Sequence, residues 1–339
     1  MAVIKADAYG HGAVEVARTL AAAGAAHFAV ASIEEGIELR SAGIEGEVVL
    51  LCGLESGQTS EAVRHHLTPV VHTVCQLKEW QEQAIRARKK LPYHLEVDSG
   101  MNRLGLQASS AERLVQLISE YSAVELEGFA THLASAEDFS DEQTHQQQTC
   151  FNELVEGLKA AGITPRYIHR SNSAAIAYRP AMDGTMVRPG LALYGYLSPA
   201  SGSAPAARIQ VRPVLEWKAK IAAVKDVAAG SRLGYYGSHR AEKPMRIGVL
   251  SVGYGDGLDR RLSQGGQVLV GGKLCPIAGL ISMDLTTIDL TAAPEAMPGQ
   301  EVMLIGGDLS AQAMADCCGT IVYEVLCGIA KRVPRVYCD

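Results

Sequence analysis

Eight short apolar runs, separated by longer segments of helical period, occupy the chain up to about residue 195. In segments such as AVEVARTLAAAG, IEEGIELRSAG and VCQLKEWQEQAIRARKK, apolar residues recur three and four positions apart, which is typical of amphipathic helices. The runs predict buried strands at residues 2–5, 27–31, 47–52, 68–72, 93–97, 126–131, 167–170 and 185–188. Strands that alternate with helices form a parallel sheet, and eight such units match the count of an α/β fold of the TIM type, the (β/α)8 barrel.

A doubly wound dinucleotide-binding sheet is the main alternative for alternating strands and helices. That fold carries a GxGxxG turn after its first strand, whereas the first run here leads into KADAYGHG. The barrel also uses all the runs and leaves none over. It is therefore the predicted fold of the first domain.

The sequence pattern changes near residue 200. The stretch SPASGSAPAARIQVRPV is rich in Ser, Pro and Ala, which is typical of a linker. After it, short runs such as MRIGVLSVGYG and QVLVGGKLCPI alternate with glycine turns, and helical segments return only near the end of the chain. We therefore predict two domains, a barrel over residues 1–208 and a C-terminal, mostly β domain over residues 209–339.

Charge and composition exclude several classes of partner. The formal net charge is −6 and no basic run is present, which argues against a nucleic-acid partner. No apolar stretch is long enough to span a bilayer, and Met1 is followed by neither a basic region nor a cleavage site, so no membrane contact and no signal peptide are predicted. The eight cysteines form no CxxC pair and have no histidine at zinc spacing, which predicts a cytoplasmic protein without a metal site.

Polar side chains follow several of the predicted barrel strands at the point where each strand ends. Active sites of such barrels are built at the carboxyl ends of the strands, so we expect these side chains to converge on one face. Each alone is ordinarily a solvated or paired surface residue, and it is their common position that indicates a site. The strand-end residues are Lys5, Glu96 with the loop to Arg103, His132, His169 with the loop to Ser173, and Arg188 with Gly190.

Four of these residues predict a site for pyridoxal 5′-phosphate (PLP). Lys5 offers an amine in an apolar barrel mouth, which suits imine formation with a carbonyl group. Arg188 offers a permanently charged, planar set of donors. Ser173 and Gly190 follow the seventh and eighth strands, where such barrels commonly bind phosphate. An imine-forming lysine, an arginine for a ring nitrogen and a phosphate cradle together predict PLP as the cofactor.

The motifs around these residues resemble those of the bacterial alanine racemases, PLP enzymes of fold type III. VIKADAYGHG is similar to the PLP-lysine signature of that family, which is highly specific. The resemblance extends in order over essentially the whole chain, through VDSGMNRLG, THLASAED, HRSNSAA, VRPGLALYG, LGYYG, GYGDG, SMDLT and YEVLCGIAKRVPRVY. Family members carry a longer segment ahead of the lysine strand, so we expect residues before Met1 to be missing from this sequence.

The resemblance implies which residues bind the cofactor. Lys5 would form the Schiff base with PLP, and Arg188 would donate a hydrogen bond to the pyridine nitrogen. Because arginine keeps its proton, the ring becomes a weaker electron sink than one paired with an aspartate, which favours reprotonation at Cα over transamination. The residues implied for the phosphate and its surroundings are Tyr9, Asn172, Ser173, Gly190, Leu191 and Tyr323.

Racemisation requires two acid–base groups, because a proton must leave one face of a planar carbanion and return to the other. The PLP lysine supplies one, and the resemblance implies Tyr235 of the partner subunit as the other. The same resemblance places His132 next to Tyr235 to help it accept a proton, with His169 bridging to Arg188. LGYYG can be aligned so that either Tyr235 or the neighbouring Tyr236 is the base.

The substrate-binding residues are likewise implied by the resemblance. Arg103 and the Met283 amide would bind the substrate carboxylate, with Asp284 beside them. Asp284 alone is equally well read as a solvated turn residue. Tyr254 and Tyr323 would narrow the entrance and keep the pocket small, which favours alanine as the substrate.

Glu96 departs from the family pattern. The family often has a carbamylated lysine at this position, which orients the arginine equivalent to Arg103. Here the side chain is already a carboxylate, and we hypothesise that Glu96 orients Arg103 directly through a charge-assisted pair.

Other functions remain open from the sequence. They are a serine or broad-specificity racemase of the same family, a decarboxylase of ornithine or diaminopimelate on the same barrel, and a non-racemising PLP-binding barrel. A decarboxylase needs acidic groups for a distal amine, which these motifs do not supply, and a simple PLP carrier has no use for the domain that carries Tyr235. The resemblance also implies a homodimer with composite sites, because Tyr235 would complete the site of the partner, and a role in making D-alanine for peptidoglycan.

Overall fold

The computed structural model describes residues 1–107 and 110–338, and the chain divides into two compact units. The first unit contains Met1–Ala8 and Gly12–Arg212. The second contains Tyr9–His11 together with the chain from Pro213 onward. Within the described ranges, no helix has both the length and the apolar character needed to cross a bilayer.

Seven parallel strands form the main sheet of the first unit, paired in chain order. Most of their residues are buried, as expected for a parallel sheet covered on both faces. The strands are β1 (Ala2–Val3), β2 (His27–Val30), β3 (Glu47–Leu50), β4 (Leu67–Val71), β5 (Leu91–Glu96), β6 (Val124–Ala130) and β8 (Tyr167–His169), while β7 (Asp138–Phe139) pairs separately with β9 (Ser201–Gly202). The predicted barrel architecture and seven of its eight strands are confirmed.

The prediction of an eighth strand at residues 185–188 is wrong. On one side of this segment the Thr185 N–H donates to the carbonyl of Ile168 at 3.0 Å, and on the other the Val3 N–H donates to the carbonyl of Pro189 at 2.9 Å. Proline has no N–H to donate in return, so no regular ladder forms. The segment therefore links β8 to β1 through separate hydrogen bonds and closes the barrel without being a strand.

Helices connect most of the barrel strands, and their ends carry the expected signals. Ser32 and Thr73 each accept a hydrogen bond from the backbone N–H three residues further on, which caps the helix that follows. In the helix after Thr73, the buried residues are Leu77, Trp80 and Ala84, at the three- and four-residue spacing of an amphipathic helix. The helices are Ala13–Ala22, Ile33–Ser41, Thr59–Arg64, Val74–Ala87, Ala111–Glu120, Gln143–Ala160 and Ser173–Tyr178, with 3-10 turns at Pro180–Met182 and Leu191–Tyr194.

The second unit is built on a six-stranded antiparallel sheet. Its order is β15-β14-β17-β10-β13-β16, where the strands are β10 (Trp217–Val227), β13 (Met245–Leu250), β14 (Gln267–Val270), β15 (Lys273–Pro276), β16 (Thr286–Asp289) and β17 (Glu301–Ile305). A separate hairpin pairs β11 (Arg232–Leu233) with β12 (His239–Arg240). Helices Ala311–Cys318 and Val322–Gly328 follow, and 3-10 turns lie at Tyr235–Gly237, Tyr254–Asp256 and Arg260–Gln264.

Candidate active site

The backbone turns left-handed immediately after Lys5. The next three residues have φ between 52° and 53°, in the region that L-residues rarely adopt. Two carboxylates hold this turn: Asp7 Oδ1 accepts from the Ala13 N–H at 2.8 Å, and Glu35 Oε1 accepts from the Ala6 N–H at 2.6 Å. The lysine therefore sits on a fixed backbone. Neither carboxylate was predicted from the sequence, although aspartate is one of the residue types that tolerate this left-handed conformation.

Arg188 is buried at the carboxyl ends of β6 and β8, where it contacts two predicted histidines. Its Nη1 lies 2.7 Å from His169 Nδ1 and donates to the His169 carbonyl at 2.8 Å. Its Nη2 lies 3.1 Å from His132 Nδ1 and donates to the Thr131 carbonyl at 2.9 Å. The structure thus brings together three residues that the sequence separates by up to 56 positions.

The protonation states of these histidines follow from burial and from the arginine. Burial, reinforced by Arg188, lowers the pKa of His132 to about 3 and the pKa of His169 well below its ordinary value. Arginine can only donate, so the Nδ1 atom of each ring accepts and the ring hydrogen lies on Nε2. Both imidazoles are therefore neutral at physiological pH.

Glu96 and Arg103 do not form the predicted pair in this chain. Arg103 is exposed, and among the described residues no ion pair joins it to Glu96 within 4.0 Å. Burial raises the pKa of Glu96, while the charge of Arg188 and, to a lesser extent, that of Arg103 oppose the rise. The carboxylate is thus coupled more strongly to the buried arginine than to the exposed one.

Four predicted cofactor residues meet at the end of β8. Ser173 Oγ accepts from the Gly190 N–H at 2.9 Å and from the Ala192 N–H at 3.1 Å. Asn172 Oδ1 accepts from the Ala175 N–H at 3.0 Å and so caps the short helix that begins at Ser173. Leu191, next to Gly190, is buried in the barrel core. These contacts join the loop after β8 to the loop that follows residues 185–188, the segment that closes the barrel.

Tyr235 and Tyr236 lie at the tip of the hairpin formed by β11 and β12 in the second unit. The exposed fractions are 65% for Tyr235 and 90% for Tyr236. Tyr236 has a φ of 59°, and the preceding Gly234 has a φ of 69° with ψ of −170°, a conformation that only glycine adopts readily. Both tyrosine side chains are therefore exposed. The choice between them as the catalytic base rests on the motif alignment.

The motifs GYGDG and SMDLT are held against each other in the second unit. The Tyr254 N–H donates to the Ser282 carbonyl at 3.0 Å, and the Gly255 N–H donates to the Met283 carbonyl at 2.8 Å. Among the described residues the Met283 N–H has no hydrogen-bond acceptor of its own. This N–H is thus available to a ligand.

Arg332 joins the same two motifs through their carboxylates. Its Nε lies 2.7 Å from Asp256 Oδ1 and its Nη2 lies 2.8 Å from Asp284 Oδ1. Asp284 is therefore an ion-paired residue and not only a solvated turn carboxylate. Arg332 was not predicted from the sequence, although it lies within the motif YEVLCGIAKRVPRVY.

Tyr9 and Tyr323 also lie together in the second unit. Their ring centroids are 5.8 Å apart, with the planes tilted by 44°. Burial, together with Tyr323, raises the pKa of Tyr9 above its ordinary value, so Tyr9 remains a neutral phenol that can donate a hydrogen bond.

The residues of the first unit fit PLP. The guanidinium of Arg188 is buried, and no described carboxylate lies within 4.0 Å of it, so it can serve an uncharged acceptor such as a ring nitrogen. Lys5 is half-buried, and its charge contributes to the lowered pKa of His132. The lysine amine and the arginine thus act on the same imidazole.

The chain matches known proteins over almost its full length. The sequence model of the alanine racemase N-terminal domain matches residues 1–198, and that of the alanine racemase C-terminal domain matches residues 214–337. The alanine racemase of Sorangium cellulosum is 40% identical over 99% of this chain and 90% of its own length. Among solved structures, the alanine racemase of Clostridium difficile 630 superposes with a TM-score of 0.92 at 34% identity, covering 98% of this chain and 87% of its own. The alanine racemase of Bartonella henselae, solved with covalently bound pyridoxal phosphate, has a TM-score of 0.89 at 30% identity and covers 99% of this chain and 92% of its own. The chain belongs to the alanine racemase family.

Proposed function

We propose that this chain interconverts L-alanine and D-alanine, with PLP carried on Lys5. The observation that carries the proposal is the buried guanidinium of Arg188, held between two neutral histidines without a carboxylate partner among the described residues. When bound, PLP acidifies the Cα–H bond of an amino acid by withdrawing electrons from it. Arg188 would donate a hydrogen bond to the pyridine nitrogen, and because arginine never gives up its proton, this favours return of a proton to Cα.

Two residues move the proton in this proposal. Lys5 acts on one face of the substrate, and Tyr235 of the partner subunit acts on the other. In this proposal His132 assists that tyrosine, as the family resemblance implies. Arg188 orients His132, and His169 holds the other side of the guanidinium. The conformation of the backbone after Lys5 fixes the first of the two bases.

The remaining residues bind the cofactor phosphate and the substrate. Arg103 and the Met283 N–H bind the substrate carboxylate, and Glu96 contributes the negative charge that the family often obtains from a modified lysine. Met283 is supported by Asp284, and Tyr254 narrows the entrance together with Tyr323. The residues that bind or surround the phosphate are Tyr9, Asn172, Ser173, Gly190, Leu191 and Tyr323.

The proposal requires a homodimer, because each site takes its tyrosine from the other subunit. We further propose that the protein works in the cytoplasm and supplies D-alanine for peptidoglycan. The substrate itself is tested by assaying L- to D-conversion of alanine, serine, lysine and arginine with the purified protein. A rate with serine equal to that with alanine would favour a broad-specificity racemase, and no conversion of any of them would favour a PLP-binding barrel.

Hybrid dimers test the composite site. Lys5→Ala and Tyr235→Phe are each expected to be inactive. When the two variants are co-expressed at equal levels, half of the dimers are hybrids, and each hybrid has one site with both residues intact. Activity should therefore recover to about a quarter of the wild-type value. If both residues served the same subunit's site, no hybrid would have an intact site and the mixture would remain inactive. Co-expression of Lys5→Ala with Tyr236→Phe is the matched control, which shows whether Tyr235 or Tyr236 is the base. Tyr236→Phe alone should stay active if the base is Tyr235.

A further inference from the structure

A second histidine lies behind His169, on the side away from Arg188. His94 Nδ1 is 2.9 Å from His169 Nε2, and the ring centroids are 5.0 Å apart. His94 comes from β5 and His169 from β8, and both rings are buried. The proposed function gives no task to His94.

The arginine determines where the hydrogens of both rings lie. Arg188 only donates, so His169 Nδ1 must accept and the single hydrogen of the neutral His169 ring lies on Nε2. That hydrogen points at His94 Nδ1, which must therefore accept as well. The neutral His94 ring then carries its own hydrogen on Nε2.

The hydrogen on His94 Nε2 has a carboxylate opposite it. Glu47 Oε1 lies 3.7 Å away, which is longer than a hydrogen bond but close enough for an electrostatic attraction to that hydrogen. Both atoms are buried, and among the described residues neither has a hydrogen-bond partner. The other oxygen of Glu47 lies 3.2 Å from His27 Nε2, which is itself 2.9 Å from the hydroxyl of Tyr167. Glu47 is thus held in place by one oxygen and presents the other to His94.

We propose that His94 and Glu47 are positioning residues that act through His169 to fix the direction of the Arg188 guanidinium. Arg188, His169, His94 and Glu47 form a histidine relay in which every hydrogen points from the arginine towards the carboxylate. Its role in catalysis rests on the proposed contact between Arg188 and the pyridine nitrogen. Without His94, His169 Nε2–H loses its acceptor, and the ring is free to turn away from the guanidinium.

A divalent metal ion is the competing interpretation of this cluster. Ligand atoms of Glu47, His94 and Glu127 lie within 4.8 Å of one another. A metal needs an imidazole nitrogen without a hydrogen, whereas the relay places the hydrogen of His94 on that nitrogen. Arg166 also lies 3.8 Å from Glu127 and already supplies positive charge. These contacts favour the relay over a metal site.

Histidine tautomers test the relay directly. In the ¹⁵N-labelled holoenzyme at about pH 8, where unperturbed histidines are neutral, long-range ¹H–¹⁵N correlations should show Nε2–H tautomers for both His94 and His169. Assignment uses His94→Phe and, as a matched control, His145→Gln, which changes an exposed histidine. An Nδ1–H tautomer on either ring overturns the proposal, and so does tight binding of Zn²⁺ that His94→Phe abolishes.

Kinetics test the consequence for Arg188. Glu47→Leu removes the acceptor, whereas Glu47→Gln retains one. We expect Glu47→Leu to lower kcat by about tenfold, comparable to removing the outer partner of a metal-bound histidine, with little change in KM. Glu47→Gln should restore most of kcat. Equal and undiminished kcat in folded Glu47→Leu and Glu47→Gln contradicts the relay. Wild-type protein with the expected tautomers but no racemase activity would refute the proposed function and leave the hydrogen-bond directions standing.

Discussion

The ring of His94 occupies the space that a Cβ atom on Gly128 would fill. These residues face each other on neighbouring strands β5 and β6, and the Cβ would lie 2.4 Å from Cγ of the imidazole. The pairing register shifts between Tyr93 and His94, so that Glu127 is an extra residue on β6 just before the glycine. Glycine in a strand interior is unfavourable, and here it makes room for a buried histidine.

Gly128→Ala should therefore destabilise the protein by about 1–3 kcal/mol, the ordinary cost of overpacking a core. Urea unfolding measures the change. Gly328→Ala is the control, because a Cβ at that position meets nothing within 4 Å. In the double variant His94→Ala with Gly128→Ala the cost should be smaller than the sum of the two single costs, since the clash is gone. A Gly128→Ala variant as stable as Gly328→Ala would contradict the contact.

Glu47 should make stability depend on pH. Burial and the neighbouring Glu127 raise the pKa of Glu47 from 4.5 to about 7. Between these values the folded state binds a proton that the unfolded state does not, so stability is lost as pH rises from 4.5 to 7. The full loss is on the order of 3 kcal/mol, at about 1.4 kcal/mol for each unit of pKa shift.

Glu47→Gln cannot titrate and should be more stable than the wild type above the raised pKa but not at acidic pH. Unfolding in urea at acidic and at alkaline pH measures the difference between the two proteins. Glu125→Gln changes an exposed carboxylate on the same strand as Glu127 and should leave the pH slope unchanged. An unaltered slope in Glu47→Gln would show that this carboxylate is not the group responsible.

The alternation of apolar runs and amphipathic segments was sufficient to predict the barrel, because strand burial and helix period are local properties of a sequence. The segment at residues 185–188 has the same apolar character as the true strands, but strand formation there depends on hydrogen bonds to distant residues. Arg188, His132 and His169 could be predicted as site residues because each follows an apolar run, and the ends of such runs can be located from local sequence. It could not find Glu47 and His94 as a pair, since their contact depends on the register between strands.

Residues whose role depends on contact with a distant carboxylate also could not be predicted from the sequence. Arg332 lies far along the chain from both Asp256 and Asp284, and nothing near it in sequence indicates that it joins them. Conversely, the predicted pair between Glu96 and Arg103 is not formed, because burial of Glu96 and exposure of Arg103 are properties of the folded chain. Charge complementarity alone did not determine the contact.

Arg332→Gln should raise KM for alanine more than it lowers kcat. The arginine holds the loop that carries Met283 through its contact with Asp284, and misplaced binding groups cost up to about 10²-fold, so we expect an effect of about tenfold. Stability should change little, because Arg332 and its partner Asp284 are both exposed. Steady-state kinetics measure the effect, and Arg261→Gln, which breaks an exposed pair with Asp259, is the control. Equal KM values for the two variants would refute a role for Arg332 in substrate binding.

Ala6→Gly should stabilise the protein while weakening its hold on Lys5. Ala6 is exposed and has a φ of 52°, a conformation that costs L-residues about 1–2 kcal/mol and glycine very little. Part of this gain is offset by the greater freedom of glycine in the unfolded chain, so a net gain of about 1 kcal/mol or less is expected. Ala21→Gly, on the exposed side of the helix Ala13–Ala22, should instead destabilise by about 1 kcal/mol, since its backbone is helical. Thermal unfolding compares the two variants, and opposite signs are the expected result. Because the left-handed turn fixes the lysine, Ala6→Gly should also lose PLP faster than the wild type on dialysis. Destabilisation by Ala6→Gly equal to that by Ala21→Gly would mean that the turn is not strained.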